Sequence, residues 1–93
     1  MLNYKEENQS LEVMFPSKLD TNACMAFENE LMDKVNSDNN IIFNMSGVEF
    51  ICSFFLRISL KTLQQKGKDK FKIENLNPST KKVFMIAGFS DMV

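Results

Sequence analysis

Leu11, Val13 and Phe15 alternate with polar or flexible neighbours and run into Pro16. This two-residue period predicts a half-buried strand, ended by a residue that cannot extend a hydrogen-bonded ladder. A weaker strand is expected around residues 2–6. After the loop "PSKLD" the period changes: Cys24, Phe27, Leu31 and Val35 recur at helical spacing behind Asp20 or Thr21, either of which can cap the free amides of a helix start. Glu28, Glu30, Asp33 and Lys34 lie off that stripe, on a solvated face. "SDNN" breaks the helix, and the unbroken run Ile41, Ile42, Phe43 predicts a central strand covered on both faces.

"NMSG" then turns the chain. A helix is predicted over 53–65, carrying Phe54, Phe55, Leu56, Ile58, Leu60 and Leu63 on a wide apolar arc, and Gly67 ends it. "KGKDK" is a turn, and Phe71 and Ile73 alternate with Lys72 and Glu74 as a further strand. Asn77 as cap, Pro78 at the first helical position and Gly88 as terminator delimit a short helix over 78–87. The predicted order is strand, strand, helix, strand, helix, strand, helix. Strands separated by helices imply a parallel or mixed sheet with right-handed crossovers and helices packed against it.

Composition narrows the function classes. The 93 residues suffice for one small domain, and 44% hydrophobic with 25% charged residues is an ordinary globular balance. Eleven basic and twelve acidic residues leave a net charge of -1, so no general attraction to nucleic acid is expected, and the lysines of "KGKDK" form only a short soluble loop. The N-terminus lacks the basic flank and apolar core of a signal peptide. No apolar run approaches the roughly 20 residues that span a bilayer, so a cytoplasmic protein without membrane insertion is expected. Cys24 and Cys52 are too far apart in sequence for a CxxC pair, and the chain has no histidine. Reduced core thiols, no metal site and no cofactor are the expectation, and Ser/His or Cys/His nucleophilic catalysis is excluded.

Four stretches taken in order, "SKLD", "NIIFNMSGVEFICS", "FKIENLNPSTKKVF" and "MIAGFSDMV", carry a resemblance to the STAS domain, the fold of bacterial anti-sigma factor antagonists. It runs from about residue 11 to residue 92. It implies an α/β domain with a mixed, mostly parallel sheet of about four strands and three helices. In that family the central strand leads to a hydroxyl residue at a helix start, usually within Asp-Ser-Ser-Gly-Leu-Gly, where this chain reads "CSFFLR". The resemblance places the family's phosphorylated residue on Ser53 and its loop aspartate on Asp20. Cys52 stands for the motif's aspartate, Phe54 for its second serine, Phe55 for the first glycine and Arg57 for the last, while Leu56 is kept.

The function implied is a non-enzymatic partner switch. The unmodified domain binds a serine kinase that is also an anti-sigma factor, the kinase phosphorylates Ser53 and a phosphatase reverses it. Asp20, Cys52, Phe54, Phe55 and Arg57 are the candidate partner contacts. One of the adjacent rings Phe54 and Phe55 is expected to be exposed, since both cannot lie on one narrow stripe. Without phosphorylation, Ser53 is read as the helix cap. The competing implication is a constitutive accessory subunit of a lipid-transport ATPase or signalling complex. Compared with the family, the chain stops short of a C-terminal helix, which favours a homodimer or a permanent partner.

Overall fold

The structure, a computed structural model, describes residues 2–93. Strands β1 (Asn3–Glu7) and β2 (Ser10–Met14) form an antiparallel hairpin, turned by Asn8 and Gln9, both at positive φ. β4 (Asn40–Asn44) and β6 (Phe71–Glu74) add to β2 in parallel, so the sheet order is β1-β2-β4-β6. β3 (Lys18–Leu19) and β5 (Phe50–Ile51) form a separate two-residue parallel ladder that the sequence pattern did not reveal. Three helices complete the fold: α1 (Thr21–Val35), α2 (Ser53–Lys66) and α3 (Pro78–Phe84), the last running into a wide π-type turn, Met85–Phe89. The mixed, mostly parallel sheet with three helices is as expected. The predicted single helix over 78–87 instead changes pitch after Phe84, and Gly88, at φ 98°, lies within the wide turn.

All three helices lie on one face of the sheet. Leu11, Val13, Ile41, Phe43, Phe71 and Ile73 point into a core shared with Phe27 of α1, Phe55 of α2 and Phe84 of α3. Ile42 lies on the opposite, open face among Glu12, Asn44 and Lys72 and is only partly buried. The expectation that the central strand is covered on both faces is therefore corrected: its apolar run is continuous, yet its burial alternates as in any one-sided sheet. Aromatic rings carry much of the packing. Phe15 lies edge-on to Phe43 and Phe55 at 5.0 and 5.1 Å between centroids, and Phe55 in turn contacts Phe84 at 6.2 Å.

The buried stripe of α2 differs from the apolar arc in the sequence. It runs through Phe55, Ile58, Ser59 and Thr62, spaced i, i+3, i+4, i+7, while Leu60 is exposed. The two buried hydroxyls are satisfied by carbonyls four residues back, Ser59 on Phe55 at 3.0 Å and Thr62 on Ile58 at 2.9 Å, so they enter the core without an unmet hydrogen bond. α1 and α2 run side by side in the same direction. Glu28 pairs with Lys61 midway at 3.1 Å, and Lys66 at the end of α2 donates to the Ser37 carbonyl just beyond α1. Lys68 is paired with Asp91 at 2.8 Å, which holds that carboxyl below its usual pKa, so two of the "KGKDK" lysines, Lys66 and Lys68, serve intramolecular contacts.

Asn77 acts on two elements at once. Its side-chain oxygen accepts from the Thr80 amide at 2.8 Å, and its amide nitrogen donates to the Val48 carbonyl at 2.9 Å, fixing α3 against the loop before β5. Asn77→Ala removes both bonds, and a loss of about 1–2 kcal/mol in urea unfolding is expected, near the upper end for an N-cap. A loss no larger than that of an exposed control substitution would show that neither bond contributes.

Candidate functional site

The β3–β5 ladder builds the site. Leu19 pairs with Ile51, so the next residue on each strand, Asp20 and Cys52, becomes the N-cap of its helix, and the starts of α1 and α2 lie together at one end of the domain. Leu19 and Ile51 are buried, which anchors the ladder, while their neighbours Lys18 and Phe50 point outward. The Thr21 hydroxyl in the first turn of α1 lies 4.0 Å from the Cys52 sulfur, joining the two starts across the ladder.

The two helix starts are not equivalent. At α1 the Asp20 carboxylate accepts from the Ala23 amide at 2.9 Å, which satisfies an otherwise free donor and places negative charge at the positive end of the helix dipole. This is the capping role expected of Asp20. At α2 the cap is Cys52, whose side chain makes no capping bond. Ser53 is thus the first residue within the helix and not its cap, correcting the capping role expected of it. In this position its exposed hydroxyl is free of any structural duty to the amides of the first turn. Neither helix has an acidic residue in its first turn, so the start of α2 keeps its electropositive character uncompensated.

The other candidates separate sharply. Phe55 is fully buried between Phe15, Phe43 and Phe84, so it is a core residue and cannot touch a partner directly. Phe54 is partly buried, and the Arg57 guanidinium lies 4.7 Å from its ring centre, a cation–π contact that covers the ring. Arg57 is exposed and stands four residues from Ser53, on the same side of the helix. The exposed ring that sequence reasoning sought in the Phe54–Phe55 pair is found instead at Phe50, which is 50% exposed. The alternation of Phe50 outward and Ile51 inward was the available signal. Over a two-residue strand it is too short to be read by period alone.

These features define a class: a small α/β domain with an open sheet face, a helix-covered face, and one end where two helix starts present a free serine, an arginine and a half-exposed phenylalanine. The STAS domain family model matches residues 2–93, and the chain belongs to the STAS family. Solved structures agree on the fold. The anti-sigma-factor antagonist (STAS) domain protein from Planctomyces limnophilus aligns with a TM-score of 0.84 at 15% identity, covering 98% of this chain and 84% of its own. The anti-sigma factor antagonist SpoIIAA in its unphosphorylated form gives 0.83 at 15% identity, covering 99% and 84%. The Bacillus cell fate determinant SpoIIAA in its phosphorylated form gives 0.75 at 16% identity, covering 99% and 87%. Comparison with curated protein sequences gives no match.

Proposed function

We propose that this chain is a regulatory protein-interaction module of the anti-sigma factor antagonist type, which docks a partner on the end formed by the starts of α1 and α2 and is released by phosphorylation of Ser53. The observation that carries this reading is the placement of Ser53: exposed, free of capping duty, at the first position of a helix whose dipole is uncompensated. A phosphate there meets free amides and the positive helix end, and adds up to about two negative charges to the docking end. SpoIIAA, which shares the fold, is described in both unphosphorylated and phosphorylated forms. The partner is a serine kinase of the anti-sigma type, with a phosphatase restoring the bound state. Asp20, Cys52, Phe54 and Arg57 are the proposed contacts, and Phe50 is proposed with them because its ring is half exposed at the same end.

The module works by binding and not by catalysis. With no histidine in the chain, Ser53 has no imidazole to activate it as a nucleophile. Among the described residues no helix is long and apolar enough to cross a membrane, and the proposed setting is the cytoplasm. The test is intact-mass and peptide mapping of the protein purified from its own cells, together with capture of the kinase by wild-type and Ser53→Asp baits. A phosphate on Ser53 and loss of the kinase from the Ser53→Asp bait are expected. Absence of phosphate under every growth condition, with equal capture by both baits, would overturn the switch.

One observation favours a second reading, a constitutive accessory subunit of a lipid-transport ATPase or signalling complex, or a homodimer. Val83, Met85 and Ile86 are exposed by 39, 48 and 77% on α3 and the turn after it, remote in sequence from Ser53. In that case Ile86→Glu disrupts the complex and Ser53→Asp leaves it intact.

A further inference from the structure

Cys24 and Cys52 are 28 residues apart in sequence, yet the fold brings both side chains to the segment 19–21. The β3–β5 ladder places Cys52 beside the first turn of α1, where its sulfur is 4.0 Å from the Thr21 hydroxyl. Cys24 follows Thr21 by three residues on the same side of α1, with its own sulfur 3.9 Å from the Leu19 carbonyl, so both sulfurs pack on the short segment 19–21. Both are free. They differ in access: Cys24 is buried, whereas Cys52 is partly exposed at the start of α2.

We propose that Cys24 and Cys52 form a reversible intramolecular disulfide, made by exchange with a low-molecular-weight disulfide, that ties the start of α2 to the first turns of α1 directly beside Ser53. The Cys52 thiolate, the accessible sulfur, attacks one sulfur of the reagent; the reagent S–S bond breaks, one thiolate leaves and takes up the proton Cys52 has lost. Cys24 then gives up its proton and attacks the Cys52 sulfur of the mixed disulfide, expelling the second reagent thiolate, which takes up that proton. Two protein thiols are oxidised by two electrons, and one small disulfide is reduced to two thiols.

Burial, and after it the charge of Cys52, push the Cys24 thiol up to about 12, so Cys24 remains protonated while Cys52 reacts first. The second step is favoured by proximity, since the fold packs both sulfurs on the same segment, 19–21.

The inference stands on the placement of the two thiols and does not depend on phosphorylation of Ser53. The test is equilibration of the folded wild-type protein in buffers of oxidised and reduced glutathione, followed by acid quench, alkylation and peptide mapping. A linked Cys24–Cys52 peptide in a folded monomer is expected, at an oxidised-to-reduced ratio at least tenfold lower than the urea-unfolded chain requires. Cys24→Ala is expected to trap a stable glutathione adduct on Cys52, and Cys52→Ala to leave Cys24 unmodified in the folded state. Accumulation of the Cys52 adduct in the folded wild type with Cys24 still reduced, intermolecular pairing, or a linked peptide found only after unfolding would each overturn the proposal. The wild-type map alone decides between these outcomes if the Cys24 variant does not fold.

Discussion

Replacing Phe55 by alanine is expected to lower unfolding free energy by about 3–5 kcal/mol, the usual cost of deleting a buried aromatic ring. Phe55 sits at the junction of the core: Phe15 from the loop after β2, Phe43 from the central strand and Phe84 from α3 all contact its ring at 5.1–6.2 Å, and it is fully shielded from water. Its removal leaves a cavity against three other rings and the sheet, none of which can close over it without moving a helix. A domain of this size has only about 5–15 kcal/mol in total, so the variant is expected to be partly unfolded at 37 °C and fully cooperative only at lower temperature. Urea titration followed by circular dichroism measures the loss. A change below about 1 kcal/mol would mean that the ring is not in the core.

The same substitution at Phe50 separates the two roles that a phenylalanine has near this site. Phe50 is half exposed on β5, so truncating it removes little buried area and stability should change little. If it contacts the partner as proposed, its effect falls on binding instead. Stability and affinity measured on both variants therefore distinguish a core ring from a docking ring.

The ease with which these roles are confused in the sequence has a physical basis. α1 was legible because its helically spaced stripe Cys24, Phe27, Leu31 and Val35 is the buried one, while the exposed Met25 lies off that stripe. In α2 the two sets diverge. The inward stripe includes Ser59 and Thr62, which satisfy their hydroxyls on the helix backbone, while Leu60 faces outward. A hydrophobic pattern sees only apolarity, not the local bond that lets a hydroxyl be buried at low cost. Phe54 and Phe55 looked alike for the same reason, and only the rotation of the helix assigns one to Arg57 and the other to the core.

Among the candidate residues, the caps of α1 and α3 were legible, but the place of Ser53 in its helix was not. Asp20 and Asn77 were readable as caps because each side chain bonds to the amide three residues on. Ser53 was misread as a cap because the ladder that fixes the helix boundary, Lys18–Leu19 against Phe50–Ile51, is only two residues long. That ladder is non-local in sequence and leaves no period to detect. Its consequence reaches furthest, since it moves the cap to Cys52, frees Ser53 and places Cys52 against α1.

Ser53→Asp is expected to weaken the partner complex on the order of tenfold or more, about 1.4 kcal/mol, while leaving the fold as stable as the wild type or slightly more so. The two signs differ for one physical reason. Within the molecule, a carboxylate at the first position of α2 faces the positive helix end, where no acidic residue stands at present, and such a charge contributes about 0.3–1 kcal/mol. Arg57, four residues on, is within reach of the new charge and is drawn from its place over the Phe54 ring. In the proposed complex the same charge meets a partner surface that would be fitted to a neutral hydroxyl and to an arginine in its former position. Ser53→Ala provides the control: because Cys52 is the cap, its stability should differ from wild type by far less than the roughly 1 kcal/mol that loss of a serine cap costs. Urea unfolding of both variants and calorimetric titration with the kinase measure the two signs. A Ser53→Asp protein that binds as tightly as wild type would remove Ser53 from the docking surface, and a Ser53→Ala protein destabilised by a full cap would return it to a structural role.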